Sequence, residues 1–191
     1  MAVLAKKPEN EGILAPAGTH HAVCYGVWDL GQQKSTWNGV TAPKHKCVIA
    51  WEIDVAINME GNKFHGKRYV VSKQYTVSLG SKANLYKDLT SWRGIAFTKE
   101  ELEGFDIETV VGANCFLQVI HTEGGEKTYA NVETVMNVPA GTPHISPENS
   151  ALPPDWVKKK QDDQYNVSME EDVSQDPLDH APPIPEDDLP F

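Results

Sequence analysis

The chain has 191 residues, with 17 Lys and Arg against 27 Asp and Glu, for a formal net charge of −10. All 17 basic residues precede Gln161 and are matched there by 17 acids, while residues 161–191 hold ten acids and no base, so the whole excess sits in the last segment. No apolar run reaches the length of a membrane span or a secretory leader, and the odd, widely spaced Cys24, Cys47 and Cys115 suit neither a disulfide framework nor a zinc site.

These features predict a soluble intracellular protein with one domain of about 130 residues. Residues 1–19 read as a flexible lead, 20–145 as the domain and 146–160 as a linker. Residues 161–191 combine five Pro, few apolar groups and mutually repelling charges, which predicts a disordered acidic tail that cannot repay the entropy of ordering.

In chain order, 21–30 is a β-type run, followed by a polar loop over 31–43 that contains Trp37-Asn38-Gly39. Segment 45–54 alternates, with Cys47, Ile49, Trp51 and Ile53 on one face and Lys46, Val48, Ala50 and Glu52 on the other. A Gly- and Asn-rich turn leads into 67–79, where Tyr69, Val71, Lys73, Tyr75 and Val77 share a parity. The lysine in that apolar row predicts a bulge near Ser72-Lys73. The period then changes: Ala83, Leu85, Leu89 and Trp92 recur at helical spacing, with Ser81 as the expected N-cap and Arg93-Gly94 as the stop. Thr98-Lys-Glu-Glu101 is a capping-box sequence for a second short helix. Strands return at 115–122 and 129–138, joined by a hairpin loop over 123–126. Three strands, a helical insertion and two strands predict a mainly β, five-stranded OB-fold barrel.

Visible catalytic apparatus is missing from this pattern. Gly61 to Arg68 approaches a phosphate-binding P-loop but lacks its hydroxyl, and a strand follows where a helix is needed. The histidines show no ligand spacing, and no nucleophile has a supporting base. No enzyme activity, metal or cofactor is therefore expected; Asp29, Glu52 and Asp54 are the only acids that would serve a magnesium-dependent nuclease.

A different chemistry shows in the first 99 residues, where 13 bases face 7 acids. Tyr25, Lys34, Trp37, Lys44, Lys46, Lys67, Arg68, Lys73, Tyr75 and Lys82 interleave cations with flat rings across the first three strands and into the helix that follows. Unpaired nucleic acid is held by this combination, cations following the phosphates while rings stack on bases.

The acidic tip Glu186-Asp187-Asp188-Leu189-Pro190-Phe191 resembles that of bacterial single-stranded DNA-binding proteins, which ends Asp-Asp-Ile-Pro-Phe, with Leu189 in place of Ile. The resemblance implies that Asp187, Asp188, Leu189, Pro190 and Phe191 dock replication, recombination and repair enzymes. The body resembles a family of phage-encoded single-stranded DNA-binding proteins. The resembling stretches are Asp29-Leu30-Gly31-Gln32, Trp37-Asn38-Gly39, 48–52, 71–78, Lys82-Ala83-Asn84-Leu85, 89–94 and Tyr129-Ala130-Asn131-Val132. That likeness implies sequence-tolerant coating of single-stranded DNA during phage replication or recombination, in the cytoplasm of a bacterial host. An adaptor or strand-annealing protein in which protein docking dominates is the alternative; a homo-oligomer stays open in either case.

Overall fold

A computed structural model describes residues 13–171 of the chain, without the side chains of Trp37 and of residues 164–171. The tip from Asp187 to Phe191 lies outside the described residues. Five strands form one antiparallel sheet in the order β3-β2-β1-β4-β5: β1 (Gly18–Trp37), β2 (Val40–Ala56), β3 (Arg68–Thr76), β4 (Asn114–Gly124) and β5 (Lys127–Met136). Between β3 and β4 lie α1 (Asn84–Arg93), α2 (Lys99–Glu103) and a 3-10 turn (Ile107–Val110); α3 (Asp155–Glu171) follows β5. The protein is mainly β and the sheet is open, with no ladder between its edge strands β3 and β5.

The alternation in β2 is decisive for the core. Cys47, Ile49, Trp51 and Ile53 are buried on the inner face together with Leu85, Leu89 and Trp92 of α1. Trp51 and Trp92 meet at 5.8 Å between ring centroids, and the Trp92 indole N–H donates to the Asn114 carbonyl at 2.8 Å. Helix α1 starts later than the Ser81 cap predicts: Ala83 is the N-cap and no side chain caps it. Residues 80–83 instead close a turn through Ala83 N–H to Gly80 O. The helix ends at Gly94, whose φ of 71° is the left-handed conformation that glycine adopts most readily. In α2 the Thr98–Glu101 capping box is present in both directions.

The outer face holds the main departure from expectation. Val48 and Ala50 are buried there against Tyr25, Trp28, Leu30 and Val157, and Val157 belongs to α3. The segment expected to be a linker and the start of a disordered tail is thus a strap that crosses the back of the sheet and continues as a helix. Asn114 clasps its beginning, donating to Ile145 O and accepting from Ile145 N–H, each at 2.9 Å. Glu52, with no solvent exposure, accepts the Glu148 and Asn149 N–H groups and the Asn149 amide. Trp28 N–H donates to Ala151 O at 2.9 Å, and Gln33 and Gln161 tie α3 to β1 at 3.0 and 2.6 Å. Composition hid this strap, because its hold comes from backbone N–H groups and one valine rather than an apolar stripe.

Two irregularities in β1 serve the same face. Register shifts between Cys24 and Gly26 and between Asp29 and Gly31 leave Tyr25 and Leu30 as extra residues. Both side chains join the outer cluster. Gly26 is required by the packing: a Cβ there would lie 2.2 Å from the Trp28 ring.

The 31–43 stretch is a ribbon, not a loop. Strands β1 and β2 stay paired to Trp37↔Val40 across Asn38-Gly39, whose φ values of 49° and 79° are both positive, as a type I′ hairpin turn demands. The apolar alternation that marks a strand is absent here because the ribbon runs past the core and needs no buried face. Likewise β3 has no bulge at Ser72-Lys73: pairing with β2 is regular from Lys46↔Thr76 to Glu52↔Val70, and the shift falls between Glu52 and Ala56.

Replacing Glu52 with Ala strands three strap donors in a largely water-free position and removes one of the carboxylates around Arg68. A loss of about 3 kcal/mol is expected in urea unfolding. The exposed helical substitution Lys87→Ala should change the midpoint little.

Candidate nucleic-acid interface

The ten residues singled out by charge and aromaticity separate into groups. Tyr25 is 8% exposed beneath α3, edge-on to Trp28, and Tyr75 is 3% exposed in the inner core. Neither presents a ring face on which a base could stack. Burial, followed by the nearby Glu52 charge, pushes the Tyr25 phenol up to about 12. Burial, then the charge and hydrogen bond of Asp88, hold the Tyr75 phenol far above its ordinary range.

Lys73 solves its problem differently from a bulge. Its parity points it inward, where its ammonium donates to Asp88 of α1 at 2.7 Å and to Glu133 O of β5 at 3.1 Å. Tyr75 donates to the same Asp88 oxygen at 2.8 Å. Lys73 therefore links the two sheet edges and is neutralised, so it is poorly placed to meet a phosphate.

Arg68 is also engaged. It contacts Glu52, Asp54 and Glu148 at 3.4 to 3.5 Å and donates to Ser146 O. Its work is at the strap. Lys67 is exposed beside it, at the end of β2 remote from the ribbon tip, and Lys82 is exposed just before α1. Asp29 pairs with His45 at 2.7 Å, while Glu52 and Asp54 share Arg68, so the three acids weighed for magnesium do not converge. Among the described residues no group of three His, Cys, Asp or Glu is placed to hold a metal ion, and no helix is long and apolar enough to cross a membrane.

Lys34, Lys44 and Lys46 remain together on the ribbon, with the Trp37 backbone at its tip. Residues 31–46 contain these three lysines, His45 and no acid. Register assigns their faces: Lys44 and Lys46 share the outer face with Val48, whereas Lys34 and His45 lie on the other. Lys34 and Lys44 are exposed and Lys46 is half-buried.

The outer face continues from Lys46 onto β3. Lys46 pairs with Thr76, Val48 with Gln74 and Ala50 with Ser72. There it opens into a cleft of ≈ 910 Å³ lined by residues of β3, β5 and α3, among them Ser72, Gln74, Tyr129, Asn131, Trp156 and Lys160. Tyr129 is 50% and Trp156 42% exposed, high values for aromatic rings. Sequence reasoning missed this group. One signal was available: Tyr129 occupies the polar row of β5, with Asn131, where burial gives an aromatic no reason to be. For Trp156, its neighbours Lys158, Lys159 and Lys160 carried the hint, but the helical backbone that aims it was not foreseen.

A smaller opening of ≈ 450 Å³ lies where Asp29, Gly31, Gln32 and His45 meet Gln161. Its acid is already paired.

No protein-family model and no curated protein matches the chain.

The phenols supply a check on these placements. An unfolded tyrosine loses its proton near pH 10, whereas folded Tyr25 and Tyr75 hold theirs to about 12 or beyond. Unfolding therefore releases protons above pH 10, and stability falls as pH rises through that window. In an absorbance titration at 295 nm, Tyr25 and Tyr75 should ionise only as the protein unfolds in alkali. Ionisation of all six tyrosines as one class near pH 10, with the fold intact, contradicts their burial.

Proposed function

We propose that the protein binds single-stranded DNA with little regard to sequence, through the outer face that runs from the ribbon lysines onto β3. The observation that carries this is the acid-free stretch 31–46, which sets Lys44 and Lys46 on the same side of the sheet as the open surface of β3. Cations spaced along a strand can follow a phosphate chain, and their attraction is independent of base identity.

The strand pairing favours the same reading. β1 pairs with β2 and β4, β2 with β3, and β4 with β5, so contact between β3 and β5 would complete the order of an OB-fold barrel. Lys73 reaches across that gap to Glu133 O. Such barrels bind oligonucleotides on the face of strands two and three. With the resemblance to phage-encoded single-stranded DNA-binding proteins, the role is coating of DNA during phage replication or recombination, in the cytoplasm of the bacterial host. The acidic tip Asp187 to Phe191 serves as the docking segment for replication, recombination or repair enzymes: an apolar ring flanked by acids suits a pocket with a basic rim.

The salt dependence of oligo-dT binding tests this. Removing a phosphate contact from a single-strand complex lowers the slope of log affinity against log salt by about 0.7. The double change of Lys44 and Lys46 to Ala should then flatten the slope by about 1.4. Removing 172–191, which hold six acids and no Lys or Arg, should leave or raise affinity at low salt. A wild-type protein with no preference for unpaired over duplex DNA ends the proposal. If the wild type binds but the lysine variant keeps its full slope, the ribbon is not the contact and protein docking becomes the stronger role.

A further inference from the structure

We propose that the cleft between β3, β5 and α3 is a nucleobase-binding subsite, so that the C-terminal helix supplies part of the DNA contact. This rests on the single-stranded DNA reading above and adds to it a particular place and a particular ligand, the heterocyclic base.

The lining has the chemistry such a ligand needs. A base has two flat apolar faces and a polar edge, and it is tethered to a negative phosphate. Tyr129 of β5 and Trp156 of α3 line the cleft with half-exposed rings. The side chains of Ser72 and Gln74 have no hydrogen-bond partner among the described residues, and both face the cleft from β3. Asn131 stands on β5, its amide N–H donating to Thr122 and its carbonyl oxygen left to accept. Lys160 is on the α3 wall, one turn beyond Trp156, at the end of the run Lys158-Lys159-Lys160. Rings for the faces, uncommitted amide and hydroxyl groups for the edge and a cation for the phosphate thus occur in one opening.

The Tyr129 ring lies over Gly124 of β4, but structural duty does not account for Trp156. Val157, the neighbour of Trp156, is fully buried and holds α3 to the sheet. The Trp156 ring is on the other side of that anchor, facing the cleft. The cleft also continues the outer-face row that starts at Lys44 and Lys46, through Thr76 and Gln74. A strand whose phosphates follow the ribbon lysines reaches this opening along β3.

The measurement compares oligo-dT with an abasic deoxyribose-phosphate oligomer of equal length, using full-length wild type, Trp156→Ala, Tyr129→Ala and Trp156→Phe. Wild type should prefer oligo-dT to the abasic chain. Each Ala variant should lose about tenfold or more of its oligo-dT affinity, the loss expected for one base stack, while its abasic affinity and salt slope stay unchanged. Trp156→Phe should recover most of the loss. Thermal melts of both Ala variants should match wild type, since both rings are half exposed. If the Ala variants keep the wild-type ratio of oligo-dT to abasic affinity, the cleft proposal is overturned while the single-strand reading stands. If wild type binds neither oligomer, that reading itself fails. If the Ala variants weaken both oligomers equally, or change only self-association, the cleft is not a base site and a different occupant takes its place.

Discussion

A fully buried carboxylate organises the back of this protein. Glu52 sits on the outer face of a central strand, where an unpaired charge would be prohibitively costly. It is met by the N–H groups of Glu148 and Asn149, the Asn149 amide and the Arg68 guanidinium. Because the N–H partners come from a segment almost a hundred residues later in the chain, satisfying the charge fixes the strap in register on the sheet. Once residues 148 and 149 are held, Ala151 meets Trp28, Val157 seats over Val48 and Ala50, and α3 is aimed along β1. The open cleft and its aromatic wall follow from that chain of contacts.

Much of the sheet was legible beforehand because its inner face obeys simple alternation. Cys47, Ile49, Trp51 and Ile53 declare a buried row, and Leu85, Leu89 and Trp92 declare the helix that covers it. What eluded sequence reasoning were positions where another force overrode periodicity. Lys73 in an apolar row looks like an irregular strand, but Asp88 makes an inward lysine acceptable in a regular one. The 31–43 stretch looks like a loop, because paired strands without a buried face have no pattern to display. The strap looks like a linker, since backbone N–H groups carry no residue signature.

The candidate site was legible in part for the same reasons. Exposed lysines on the ribbon can be read from composition, because solvated cations lie where the sequence is polar. Aromatic residues are harder, since a ring in an apolar row is usually core, and Tyr25 and Tyr75 prove to be so. The rings left accessible, Tyr129 and Trp156, lie in the polar row of an edge strand and on a helix that composition disguised. An aromatic in a polar environment thus marks an accessible ring better than one surrounded by apolar neighbours.

The paired ribbon beyond Gly31 has one more implication, for how such a protein can vary. Adding or deleting one residue on each strand near Asn38-Gly39 would invert the facing of everything distal to the change, whereas two on each would preserve it. Since no described residue of the hydrophobic clusters belongs to that projection, its reach could drift between relatives in even steps at small energetic expense. Length polymorphism confined to this hairpin, in multiples of two per strand, is the evolutionary footprint this geometry permits.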